Sequence, residues 1–189
     1  MLKTQLTVHP DALRALIPAR LHGVSWIAGG YAADPHKAED IDLWVLGSQG
    51  DRSELLNHLL KTARLVDDPA DAYTEDDSFD IVGSVYVPTQ EDPFKGVIKV
   101  QVLFSRIPGI QTLLASFDIS THRIAKSLAS GEYVTGAGWK PTHEQPRALL
   151  FNRPERTAER LLKITSRYGF NVHPQDNVSL DAVLEEVPF

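Results

Sequence analysis

Residues 26–46 read WIAGGYAADPHKAEDIDLWVL, in which a Gly-Gly turn closes one apolar run and an Asp-Ile-Asp triplet opens the next. The run from Val24 to Ala28 is short and apolar, as a buried strand is. It ends in Gly29 and Gly30, whose lack of side chains lets another molecule approach the backbone. Asp40 and Asp42 are separated by one residue, and in a strand that spacing aims both carboxylates at the same face. Two aligned carboxylates repel each other by on the order of several kcal/mol when buried, unless a cation sits between them. The expected cation is magnesium, or manganese in its place.

Working outward, His9-Pro10-Asp11 precedes a helical pattern from Ala12 to Leu21, which Pro18 ends or kinks. Tyr31 to Lys37 reads as a turn of helix interrupted by Pro35, and Ile41 to Leu46 as a fully buried strand. Leucines at 55, 56, 59, 60 and 65 give Arg52 to Leu65 the pattern of an amphipathic helix lying on a sheet. The acidic stretch from Val66 to Ser78 has neither period and reads as a solvated loop. Phe79 to Val87 and Val97 to Phe104 are β-rich and flank a loop, so they read as a hairpin that extends the sheet. A helical pattern runs from Ile110 to Ser130, Gly131 to Trp139 resembles a short hairpin, and Pro154 opens a last helix that Gly169 closes. The expected architecture is α/β (α+β): a small mixed sheet flanked by helices, with a core over 1–130 and a hairpin plus helical extension over 131–189 packed on it.

Composition narrows the function classes. The 189 residues are 42% hydrophobic, enough for one core. No apolar run approaches the roughly 20 residues needed to cross a bilayer, and the N-terminus lacks a signal-peptide stretch, so a cytoplasmic, membrane-free protein is expected. The absence of cysteine excludes thiolate chemistry and Cys-based metal sites. A net charge of −6 argues against a broad nucleic-acid-binding surface, although Arg153, Arg156, Arg160, Lys163 and Arg167 concentrate positive charge in the stretch from Arg147 to Arg167.

Gly-Gly followed, after nine intervening residues, by Asp-hydrophobic-Asp-hydrophobic resembles the signature of the DNA polymerase beta-like nucleotidyltransferase superfamily. The G-G-Y-A-A-D start is similar to small antibiotic nucleotidyltransferases. Two later segments, Asp118-Ile-Ser-Thr-His-Arg-Ile-Ala125 and Arg160-Leu-Leu-Lys-Ile-Thr-Ser-Arg-Tyr-Gly-Phe170, resemble the head and neck of the tRNA nucleotidyltransferase and poly(A) polymerase branch, in the same order. The resemblance implies a minimal nucleotidyltransferase fold that binds an NTP. It implies transfer of a nucleoside monophosphate to an acceptor hydroxyl on an RNA 3′ end, a protein or a small molecule, with metal-assisted release of pyrophosphate.

On that resemblance Asp40 and Asp42 are the catalytic residues and metal ligands, and the backbone of Gly29 and Gly30 faces the β- and γ-phosphates. Lys37 is the best of the nearby phosphate candidates. Asp118 is expected at the nucleotide sugar, with an N-cap of a helix from Ile119 to Leu128 as the equally weighted alternative. Arg123 joins it as a phosphate candidate, and Arg160, Lys163 and Arg167 share one helical side suited to a base pocket. Many members of the superfamily carry a third carboxylate in a hydrophobic-acid-hydrophobic triplet. Here the triplet is Val100-Gln101-Val102, and Gln101 offers a carbonyl oxygen without charge. Either two carboxylates suffice, with Gln101, Asp80 or Asp118 in support, or the chain is a degenerate nucleotide-binding or protein-interaction module. An antibiotic nucleotidyltransferase is a third reading.

Overall fold

In strand β2 (Asp40–Leu46), Ile41, Leu43 and Val45 are wholly buried on one face, while Asp40, Asp42 and Trp44 lie on the other. This division organises the molecule, whose computed structural model describes residues 7–66, 79–90, 96–150 and 154–176. The strands β1 (Ser25–Ala28), β2, β3 (Phe79–Pro88), β4 (Val97–Ser105), β5 (Ile124–Ser127) and β6 (Tyr133–Thr135) form one mixed sheet in the order β3-β4-β2-β1-β5-β6. Only β2 and β4 run parallel, in a register that sets Asp40 beside Lys99 and Asp42 beside Gln101.

The apolar face of the sheet carries the main core. Ile27, Ile41, Leu43, Val45, Val100, Val102 and Phe104 pack there with Leu13, Ile17, Leu55 and Leu59. The last two come from α3 (Gln49–Thr62), and Asp51 Oδ2 accepts 2.7 Å hydrogen bonds from both the backbone N–H and the hydroxyl of Ser48 at its start. That cap lies upstream of Arg52, so the helix begins and ends three residues before the expected bounds. The N-terminal helical pattern divides as Pro18 requires, into α1 (Pro10–Arg14) and a 3₁₀ turn over Ala19–Val24.

The opposite face is covered by α4 (Ile110–Ala115), whose Leu113 and Leu114 pack with Ala28, Trp44, Leu46, Leu103 and Ala125. The helix expected over 110–130 therefore stops at Ala115. A 3₁₀ turn at Ser120–His122 follows, and β5 then pairs antiparallel with β1, joining Trp26 to Ser127 and Ala28 to Ala125. Tertiary pairing overrides the local helical pattern here, and Asp118 caps no helix over 119–128. The hairpin expected after Gly131 is made by β5 and β6, so the 130/131 boundary falls between two strands of one sheet. The final helix α5 (Pro154–Tyr168) docks Leu161 and Ile164 on Ile119, and Gly169 ends it at φ +77°. The acidic stretch over 67–78 and the tail beyond 176 lie outside the described residues. Among the described residues no helix is long and apolar enough to cross a membrane.

Candidate functional site

The end of β1, the start of β2 and the inner side of α5 border a cleft of about 610 Å³. Asp40 and Asp42 are half-buried on its floor. Burial, reinforced by the charge of Asp40, pushes the Asp42 carboxyl up to about 7, against opposing contributions from Arg160 and Lys99. The turn after β1 is built against this carboxylate. Gly29 has φ +80°, its N–H donates to Ile124 O at 3.1 Å, and a Cβ placed there would lie 3.7 Å from Asp42 Oδ2. A side chain at Gly29 would be strained by its backbone and would crowd whatever sits on Asp42. Gly30 opens the short α2 (Gly30–Ala33), so its amide and those of Tyr31 and Ala32 precede the first intrahelical donors, at Ala33 and Asp34.

His122 closes the space behind this turn. It is 8% exposed, lines the cleft, and its Nε2 lies 3.7 Å from the Cβ position of Gly30. Burial, together with the charges of Arg160 and Arg167, pushes its pKa down to about 3, so the imidazole is neutral at ordinary pH.

The cations of α5 reach the cleft already engaged. Arg160 Nη1 lies 2.9 Å from Asp118 Oδ1, while Thr157 Oγ1 donates to Asp118 Oδ2 at 3.0 Å. Lys163 and Arg167 both bind Glu39, at 2.6 and 2.7 Å. The Lys163 hydrogen bond is the largest of the effects that lower the Glu39 pKa. Glu39 thus ties α5 to the residue next to Asp40.

The expected site residues are not all brought together. Gly29, Gly30, Asp40, Asp42, Gln101, Asp118, Arg160, Lys163 and Arg167 line one cleft. Lys37 instead holds its ammonium 4.6 Å above the Tyr168 ring. Arg123 is buried and donates to the carbonyls of Phe117, Ala137 and Ala115 at 2.8–2.9 Å, clamping the end of α4 and the turn after it to the loop after β6. Asp80 is ion-paired with Arg52 at 2.9 Å and Arg106 at 3.3 Å, and does not line the cleft. Sequence reasoning missed His122, Glu39, Lys99 and the aromatic residues Trp44, Phe79 and Phe117. The alternation through Lys99, Gln101 and Leu103 carried the signal for Lys99, because residues two apart share a strand face.

Among the described residues no cluster of three or more His, Asp or Glu groups forms a metal cage. Two half-buried carboxylates, the charge of Asp40 raising the proton affinity of Asp42, nonetheless suit a magnesium ion that keeps several waters. The donor set fits a hydrated divalent cation.

Three solved structures are similar to this chain. A CCA-adding enzyme in complex with CTP is 19% identical with a TM-score of 0.62, covering 95% of this chain and 43% of its own. A CCA-adding enzyme in apo form I is 20% identical with a TM-score of 0.60, covering 95% and 44%. A tRNA-processing enzyme in apo form I is 16% identical with a TM-score of 0.57, covering 87% and 44%. The chain spans less than half the length of these structures. At such identities the likeness is one of fold, and the fold is that of the nucleotidyltransferases. No protein-family model and no curated protein sequence matches the chain.

Proposed function

We propose that this chain is a nucleotidyltransferase that moves a nucleoside monophosphate from an NTP to an acceptor hydroxyl and releases pyrophosphate. One observation carries the reading: Asp40 and Asp42 share the floor of a cleft whose Gly29-Gly30 turn closes directly on Asp42. Magnesium bound by the two carboxylates would supply charge stabilisation for the triphosphate and its leaving group. The N–H groups at the start of α2 donate to phosphate oxygens, and the close approach depends on Gly29 having no side chain. Arg160 and Asp118 form an ion pair at the cleft wall, placed to hydrogen-bond a sugar or base. Neutral His122 offers a hydrogen bond beside the phosphates without adding charge.

The test is transfer of α-labelled NTP with magnesium to RNA, protein and small-molecule acceptors, comparing the native protein with Asp40→Ala/Asp42→Ala. Transfer is expected only in the native protein, and transfer that survives the double substitution overturns the site assignment. A second reading, a nucleotide-binding module without turnover, is favoured by Gln101 standing where a third carboxylate would lie beside Asp42. Tight NTP binding with no transfer to any acceptor supports it.

A further inference from the structure

The cleft has two chemically different ends. Its cations, Arg156, Arg160, Lys163 and Arg167, all come from α5. Toward β3 and β4 the lining changes to Trp44, Phe79, Leu103, Ile107, Leu113 and Phe117, and no Lys or Arg among the described residues lines that end. Trp44 meets Phe79 edge-on at 5.2 Å and Phe117 tilted at 5.9 Å, which builds an aromatic wall. Arg106 on this side lies 3.3 Å from Asp80 and outside the lining, and Lys99, beside Asp40 at the other end of β4, is not in the lining either. Trp44 lies two residues beyond Asp42 on the same face of β2, a step of about 6.6 Å. That is about the width of an aromatic ring, so a ring seated on the half-buried Phe79 and Phe117, which flank the buried Trp44, would hold a hydroxyl substituent toward Asp42.

We propose that this apolar end receives the acceptor, and that the acceptor is an uncharged, ring-bearing alcohol or phenol. The inference rests on the transferase reading above and names the substrate that reading leaves open. An RNA 3′ end brings phosphates that Lys and Arg must neutralise, and this end supplies none within the described residues. An apolar ring instead removes hydrophobic surface from water on both sides of the contact. In the transfer the acceptor oxygen bonds to the α-phosphorus and the bond from that phosphorus to the α,β-bridging oxygen breaks. Pyrophosphate leaves with the bridging oxygen, and the hydroxyl proton passes to solvent water.

The experiment uses the full chain, magnesium and each of the four α-labelled NTPs, with 2-naphthol and a short single-stranded oligoribonucleotide as competing acceptors. In parallel, 2-naphthol is titrated calorimetrically into protein saturated with a non-hydrolysable NTP analogue. Naphthol is expected to bind and to become nucleotidylated in preference to the oligoribonucleotide. Ile107→Glu and Phe79→Ala are expected to raise the naphthol KM by about tenfold or more while NTP affinity stays within about twofold, which also shows that both variants are folded. Transfer to the oligoribonucleotide but not to naphthol, unaffected by Ile107→Glu, overturns this inference and leaves the transferase standing. Failure of NTP binding and of all transfer removes both.

Discussion

At the scale of single residues, Asp42 has a consequence that does not depend on naming a substrate. Its folded-state pKa of about 7 lies above the ordinary carboxylate value, so the folded protein holds this proton more tightly than the unfolded chain does. The stabilisation is present at low pH and is lost as pH rises through the window from about 4 to about 7. Asp42→Asn removes that loss, and at pH 8 without metal it is expected to raise Tm by about 3 °C or more in thermal denaturation. Magnesium with an NTP analogue should raise the native Tm and leave that of Asp42→Asn nearly unmoved. His122 behaves oppositely. Its pKa is depressed to about 3, so the stability of its neutral form is complete above about 6.5 and declines as pH falls toward 3. His122→Gln is therefore expected to flatten the acid side of a Tm-against-pH curve, and an unchanged acid side would remove the buried neutral imidazole from the account.

Residues also show where the sequence was silent. Asp40 and Asp42 were legible because their chemistry lies in one strand, with alternation to aim them. Arg123 was not, because its acceptors lie at the end of α4, just after it and beyond β6, and these meet only in the folded chain. Glu39 likewise finds Lys163 and Arg167 at separations of 124 and 128 residues, and no local pattern announces such a pairing.

At the scale of elements, α5 is both a wall of the cleft and an electrostatic control on its floor. Arg160 favours the charged form of Asp42 from across the cleft while pairing with Asp118. Removing that cation with Arg160→Met raises the Asp42 pKa further, so the acid limb of the transfer rate is expected to move to higher pH. A pH profile of kcat/KM measures this directly, and an unmoved limb would show that Asp42 does not titrate in the working enzyme. The same variant should weaken NTP binding by about tenfold, since a guanidinium hydrogen bond is lost. Long elements with a clear period, α3, α5, β3 and β4, were readable in outline. The four-residue β5 was not, because its own residues carry a helical pattern and only the partner edge of β1 makes it a strand.

At the scale of the whole molecule, the sheet separates two jobs. One face holds the core with α3, and the other holds the cleft between α4 and α5. The polar floor therefore interrupts none of the main hydrophobic packing. Because no three-ligand cage exists among the described residues, metal removal should abolish transfer without unfolding the protein. EDTA is expected to leave the circular dichroism spectrum and the nucleotide-free Tm unchanged, and a cooperative loss of structure would show that a metal holds the fold.

The parallel register of β2 and β4 puts Gln101 beside Asp42 on the cleft face. Glutamine and glutamate are isosteres that differ by nitrogen for oxygen at one terminal atom. Gln101→Glu would therefore set a third carboxylate beside Asp42 without altering the backbone. On the proposed transferase reading, turnover could then be lost or gained at this position with no change of fold, a heritable dial turned at a single codon while the architecture stays constant.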